Sequence, residues 1–384
     1  MRVYVYAPAQ AIIDHPDLLS RLRERYDLRG VIIRSAEPQA FDIARQRDLE
    51  AFWLAPGLWG HIHFDRARQA EFMAVPEWDQ SQYPAYEHQF PMHCPNTPGL
   101  AEENGRSYAE TVKTLGATGI FGTHLRYHHP ADIEHLWGCV CPHCRASADI
   151  DFGRIPPFWA DLTRALQKIP VEQWASIGAG DAGEHPLIAW WAAVTELDFP
   201  LQWFAWKDRC IGNYLTRLRM SFEAQLSDRV FATNCFEPLL GPLVGNSPGT
   251  QQSSDWYAPL LGYWTHHVHE SLNNIAAWHR GLVGNATHRN VLEAVARLVG
   301  LDQTLENAAT GIEQQLRVGA AHAAQIGRDY YPILNGTNAN QYGGTADQFA
   351  LSRGIELAGE LGASSIIAQG ISQLLDDPTL DFWA

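Results

Sequence analysis

Three cysteines, Cys139, Cys141 and Cys144, fall within the run GCVCPHCR at 138–145, in a chain that has only six. Thiols this close cannot all pair with one another as disulfides, because a bridge needs separated, correctly aimed Cβ atoms. A soft divalent cation can take all three, and zinc then asks for a fourth ligand to complete its tetrahedron. His143 is local, but inside the C-x-x-C turn it would have to fold back among its neighbours. Cys94, in MHCPNTP, stands far upstream and reaches the cluster if the two loops share one rim. Four thiolates would close the coordination sphere, so such a site stabilises structure and leaves no position for an activated water.

Other chemistry-bearing groups gather on loops and at the ends of apolar runs. Glu237 follows VFATNCF and precedes Pro238; Arg126 and Tyr127 close the run GIFGTHLRY. Asp181 lies in the glycine-rich GAGDAGEHP, and Asp208 in WKDR reads as a helix-start cap, as does Asp255 in SSDWY. Histidines cluster at 124, 128 and 129 and again at 266, 267 and 269.

The elements that must position these groups alternate. Short β-branched or aromatic runs stand at 2–8, 30–35, 51–57, 118–130, 229–238, 258–271, 328–337 and 364–369, separated by helical patterns such as 101–117, 156–169 and 184–197. No Gly/Ser linker divides them. Eight βα units in one domain over 1–384 predict an α/β fold, a (β/α)8 TIM barrel with long βα loops, the zinc-binding loop on its rim; a doubly wound open sheet is the alternative, although no GxGxxG follows a strand. In a barrel the active groups sit where strands end, which directs attention to Tyr6, Arg34, Trp53, Arg126, Tyr127, Glu237, Tyr263, Asn335 and Gln369. The irregular stretch 58–100, with Trp59 and Trp78, reads as a functional loop.

Charge and hydropathy exclude some partners. With 43 acidic against 28 basic residues the chain carries a formal charge of −15, which repels polyanions, so nucleic acid is not expected. No apolar run is long enough to span a membrane, and Pro8 and Asp14 interrupt the N-terminus before it could act as an export signal. A cytoplasmic protein with reduced thiols is the expectation, and a homo-oligomer is left open. Fourteen tryptophans, thirteen tyrosines and fifteen phenylalanines serve mostly as core, with a minority available as platforms for sugar rings.

HCPNTP followed by CVCPHC resembles the zinc site of the family 42 glycoside hydrolases, the β-galactosidases in which a Cys-Pro-Asn segment and a C-x-C-x-x-C loop supply four thiolates. By that resemblance Cys94, Cys139, Cys141 and Cys144 are the ligands of a structural zinc. LGATGIFGTHLRYHHP, LVGNSPGTQQSSDWYAPLLGYWTHH and GIELAGELGASSIIAQG are further similar to segments of several bacterial groups of barrel glycosidases. The likeness runs in patches over 90–370 and implies a barrel acting on an oligosaccharide or glycoside. It departs at one point: where family 42 ends the strand before the zinc loop in Asn-Glu, this chain reads FGTHLRY, and Thr123 stands where the other groups carry Asp.

Hydrolysis of a glycosidic bond uses two carboxyl groups flanking it. Glu237 is the expected first, with Asp181 or Asp208 as the second; Glu77, Asp79 and Asp255 are further acids. Trp59, Trp78, Trp256 and Trp264 are expected to stack on sugar rings, while Arg126, Tyr127, His128, His267 and Asn335 fix hydroxyls; Arg126 serves equally as a salt bridge in the barrel mouth. Two alternatives remain. One is a metal-dependent sugar isomerase or lyase built on the histidines; the other is a barrel that binds sugar without cleaving it.

Overall fold

The computed structural model describes residues 1–58, 93–127, 136–177, 185–261, 270–283, 286–301, 308–335, 348–369 and 371–375. Its strands are β1 (Arg2–Ala7), β2 (Asp27–Ile33), β3 (Glu50–Ala55), β4 (Gly119–Gly122), β5 (Val230–Cys235), β6 (Trp256–Pro259), β7 (Asp329–Tyr330), β8 (Ile333–Asn335) and β9 (Ile366–Gln369). They form one sheet in the order β7-β6-β5-β4-β3-β2-β1-β9-β8, every neighbouring pair parallel.

The two edges of that order belong to one continuous run. β7 pairs with β6, β8 pairs with β9, and a parallel bridge joins Leu260 to Ile333. Between them sits Pro332, which has no N–H to donate and so breaks the strand in two. Its carbonyl still accepts from Ile367 N at 3.0 Å, while Tyr331 N donates to Tyr257 O at 2.9 Å. The run therefore touches both edges, and the sheet curls back on itself in a barrel-like α/β arrangement.

Residues alternate across each strand, and the two faces have different cores. The concave side holds Tyr4, Tyr6, Phe52, Phe121, Trp256 and Ile367, with Trp256 stacked on Tyr331 at 4.3 Å between ring centres. Val3, Val5, Val31, Ile33 and Ile120 point the other way into the larger core under the helices. These aromatics at alternate positions along their strands are why the strands read so clearly from sequence.

The connection from β4 to β5 is much longer than the others and carries helices Pro142–Ser147, Ile155–Leu166, Pro186–Thr195 and Phe199–Glu223. Its interior is aromatic: Trp137 lies 4.8 Å from Phe158, 4.9 Å from Trp159 and 5.4 Å from Phe204. Most of the tryptophans described are thus core, as expected. The expected strand at 258–271 is shorter than read: β6 ends at Pro259, residues 262–269 lie outside the described set, and a helix runs from Glu270. Among the described residues no helix is long and apolar enough to cross a membrane.

His279, fully buried in this aromatic region, makes the fold acid-sensitive. Its Nε2 accepts from Trp191 Nε1 at 3.1 Å and its Nδ1–H donates to Ile275 O at 2.7 Å, which fixes the neutral tautomer. Burial lowers its pKa to about 4. The unfolded chain, titrating near 6.5, then binds more protons than the folded one between pH 6.5 and 4, so this contribution is whole above 6.5 and is lost as the pH falls toward 4. We expect a loss of roughly 2 kcal/mol from this residue by pH 4.5. Thermal melts from pH 7.5 to 4.5 check it: His279→Gln should flatten the profile, and an unchanged slope would remove His279 as its origin.

Candidate metal centre and barrel mouth

The four cysteines meet. Cys94 precedes helix Leu100–Leu115, Cys139 and Cys141 lie in the turn after β4, and Cys144 sits on the first turn of helix Pro142–Ser147, with Pro142 preset for a helix start. All four are buried and unbridged, and their Sγ atoms lie within 4.8 Å of one another, Cys94 and Cys144 at 3.4 Å. A zinc–sulfur bond of about 2.3 Å gives a tetrahedron with edges of about 3.8 Å, so the sulfurs fit such an ion with small adjustments. The fourth member of the group is Cys94, and His143 is not part of it.

The protons of these thiols are in conflict. Cys139 and Cys141 push Cys94 up through their hydrogen bonds to it, and the same pair pushes Cys144 up, whereas Cys141 is held far below the ordinary thiol value. Four sulfurs this near cannot ionise together without a cation between them. Around them, Asn96 Nδ2 donates to Cys144 Sγ at 3.4 Å and to Cys210 Sγ at 3.2 Å, tying the Cys-Pro-Asn segment to helix Phe199–Glu223.

From that helix Lys207, completely buried, donates to Leu136 O at 3.1 Å and Leu243 O at 3.2 Å, and its Nζ lies 4.8 Å from the centre of the Tyr127 ring. Burial lowers its pKa to about 7, against the pull of Asp208. It thus joins the cysteine loop to the loop after β5. A buried lysine cannot be told from a surface one by residue type, so sequence reasoning passed over it.

Glu237 stands two residues beyond β5 and is fully buried. Its carbonyl accepts from Leu240 N at 2.9 Å and Gly241 N at 2.8 Å, and Asn246 Oδ1 takes the preceding Phe236 N at 2.6 Å, so its backbone is held on both sides. Arg126 is buried with its guanidinium carbon 4.2 Å from the centre of the Phe236 ring, and its Nη1 donates to Tyr127 O at 3.0 Å. Burial lowers the Arg126 pKa to about 10, and the Glu237 charge opposes that shift. The Glu237 charge is thus near enough to act on Arg126. Tyr127, also buried, turns its phenol toward the sulfurs and Lys207.

Asp208 and Asp255 are not helix caps. Helix Phe199–Glu223 begins well before Asp208, which sits in its middle and accepts from Ser247 N at 3.2 Å. Asp255 takes Phe231 N at 2.8 Å and pairs with Arg219 at 2.8 Å, joining β5 to the chain entering β6. Asn335 ends β8, in register with Gln369. Asp181, His128, Trp59, Trp78, Trp264 and His267 fall outside the described residues.

Burial raises the Asp208 pKa to about 6, opposed by Ser247 and Lys207. Its folded state therefore prefers the neutral acid, and the penalty grows as pH rises from about 4 through 6. Asparagine keeps an oxygen for Ser247 N and never ionises. Because Asp208 retains some contact with water, we expect Asp208→Asn to stabilise by only ~1 kcal/mol at pH 7.5 and by nothing at pH 4. Melting curves at the two pH values test this; destabilisation at pH 7.5 would show that the charge is needed.

Sequence reasoning also missed the link between the ends of β4 and β5. Asn234 Nδ2 donates to Thr123 Oγ1 at 3.0 Å, and that hydroxyl contacts His124 Nδ1 at 3.2 Å. His124 takes a φ of 54°, a left-handed conformation uncommon outside glycine. A Cβ at Gly57 would lie 1.8 Å from the Thr123 carbonyl, so only glycine lets the chain after β3 pass here.

No family model matches the chain, and no curated relative does either. Solved structures do. The glycoside hydrolase domain of PgaB (BpsB) from Bordetella bronchiseptica is similar with a TM-score of 0.56 at 14% identity, over 99% of this chain and 96% of that one. This chain shares its fold with glycoside hydrolases. The β-galactosidase of the psychrophilic Marinomonas ef1 matches with a TM-score of 0.54 at 10% identity, over 99% of this chain and 57% of that one. At these identities the likeness is one of fold, and the chain spans little more than half of that β-galactosidase.

Proposed function

We propose that the chain is a carbohydrate-active hydrolase, a single (β/α)8 barrel that cleaves a glycosidic bond at the C-terminal ends of its strands. The observation that carries this reading is Glu237, buried and held from both sides at the end of β5, with its charge acting on the buried Arg126. Strand ends of a barrel are where such enzymes place their reacting groups. Glu237 is assigned as one of the two carboxyl groups that flank the bond. The two similar structures, a glycoside hydrolase domain and a β-galactosidase, support the same substrate class.

Arg126 and Tyr127 act in this reading from behind Glu237, and Asp208 anchors the loop through Ser247. Asp181, outside the described residues, keeps its place as candidate second carboxyl. Cys94, Cys139, Cys141 and Cys144 hold a structural zinc that pins the cysteine loop near the mouth. Hydrolysis of a panel of 4-nitrophenyl glycosides and of neutral oligosaccharides tests the function. Turnover by the wild-type chain is expected; sugar binding with no turnover on any member would make the barrel a binder.

A further inference from the structure

Along the concave face of the sheet, the apolar filling gives way to polar side chains at the strand ends. Phe121, Ala232 and Ile367 belong to the interior cluster. Two residues further along the same lines of chain, hence on the same face, stand Thr123, Asn234 and Gln369. Tyr6, in register with Gln369 on β1, meets Phe121 edge-on at 5.6 Å just beneath them.

Thr123 Oγ1 accepts from Asn234 and lies 3.2 Å from His124 Nδ1, so the hydroxyl, the amide and the imidazole form one polar group at the strand ends. Gln369 is different. Its Oε1 is buried and accepts no hydrogen bond among the described residues. Leaving a buried amide oxygen without a donor destabilises a fold, an arrangement that a bound donor relieves.

We infer that this polar floor is a hydroxyl-binding subsite for a neutral sugar ring. Gln369 Oε1 accepts from one ring hydroxyl, and the Thr123–His124 pair addresses an oxygen of the same ring. The floor groups are amides and a hydroxyl, the Glu237 charge acts on Arg126, and the exposed Arg34 beyond β2 is screened by water. With a formal charge of −15 on the chain, uronic acids are disfavoured. The inference rests on the carbohydrate reading of the mouth, and it assigns residues that the hydrolytic step itself does not use.

Calorimetric titration of the full chain with methyl glycosides of galactose, glucose, mannose and N-acetylglucosamine, beside methyl glucuronide, tests it against Gln369→Met and Thr123→Val. A neutral glycoside should bind the wild type, and Gln369→Met should weaken that binding at least tenfold. Without sugar, Gln369→Met should melt at the same temperature or higher, because it removes an oxygen that has no donor; a merely structural glutamine would give a lower one. A lower melting temperature, unchanged affinity in Gln369→Met, or preference for the glucuronide overturns the subsite. Turnover on the glycoside panel with binding unaffected by Gln369→Met leaves the hydrolase reading standing while this one falls. Absence of any sugar binding removes both.

Discussion

Replacing Cys141 by serine will release the metal and lower the melting temperature by on the order of 10 °C. The argument begins with connectivity. Cys94 belongs to the segment after β3 and the other three thiols to the segment after β4, so an ion among them joins two stretches of chain that nothing covalent links. Removing one thiolate from a closed four-sulfur site weakens the remaining three, which are then left buried and crowded. A loss on the order of 3–5 kcal/mol is expected, since binding to a preformed site is folding free energy. Cys210→Ser is the control: that thiol shares the Asn96 amide but is not part of the group of four, so the variant should keep its metal. Metal analysis together with melting curves, with and without chelator, decides the matter. A metal-free, fully folded Cys141→Ser protein with wild-type melting would refute a structural role.

The cysteine cluster was legible because three of its thiols lie close together in sequence and the fourth is carried by a short segment with its own signature. The parallel, curled sheet was legible because its strands are brief runs of β-branched and aromatic residues with a clear period of two. Tyr4, Tyr6, Phe52 and Phe121 fill one side together with Ile32 and Ile367, and Val3, Val5, Val31 and Ile33 the other. Less could be read where local pattern and tertiary context part. Helix Phe199–Glu223 buries Trp203, Phe204, Trp206 and Lys207 together, so its first half is apolar nearly all round and its start lacks a side-chain cap. Asp208 was consequently read as a beginning when it is a middle. The run past Pro259 is apolar enough to look like more strand, yet β6 stops there. Lys207, Asn234 and the Thr123–His124 contact depend on which loops meet above the strands, which no local spacing encodes. Tyr127 shows the ambiguity in one residue: an aromatic ring at a strand end suits a sugar or a core, and this one packs toward sulfur and Lys207.

Glu237→Gln should abolish turnover, by roughly 10³-fold or more, because the amide can neither attack nor take a proton. The same change also touches stability. Arg126 is buried, and deleting its countercharge leaves a guanidinium stranded, at a penalty on the order of 3–5 kcal/mol. Lost activity in this variant alone could therefore reflect lost structure. The pair separates the two effects. Arg126→Met strands the carboxylate and should destabilise likewise, whereas Arg126→Met combined with Glu237→Gln removes both charges and should melt closer to wild type than either single variant. Turnover should stay absent in the double variant despite the recovered stability, since the chemistry resides in the carboxylate and not in the ion pair. Melting curves for the four proteins, with hydrolysis of whichever glycoside the wild type accepts, complete the cycle. Should Glu237→Gln hydrolyse that substrate at the wild-type rate, the carboxylate is a structural partner of Arg126 and the reacting group lies elsewhere on the rim.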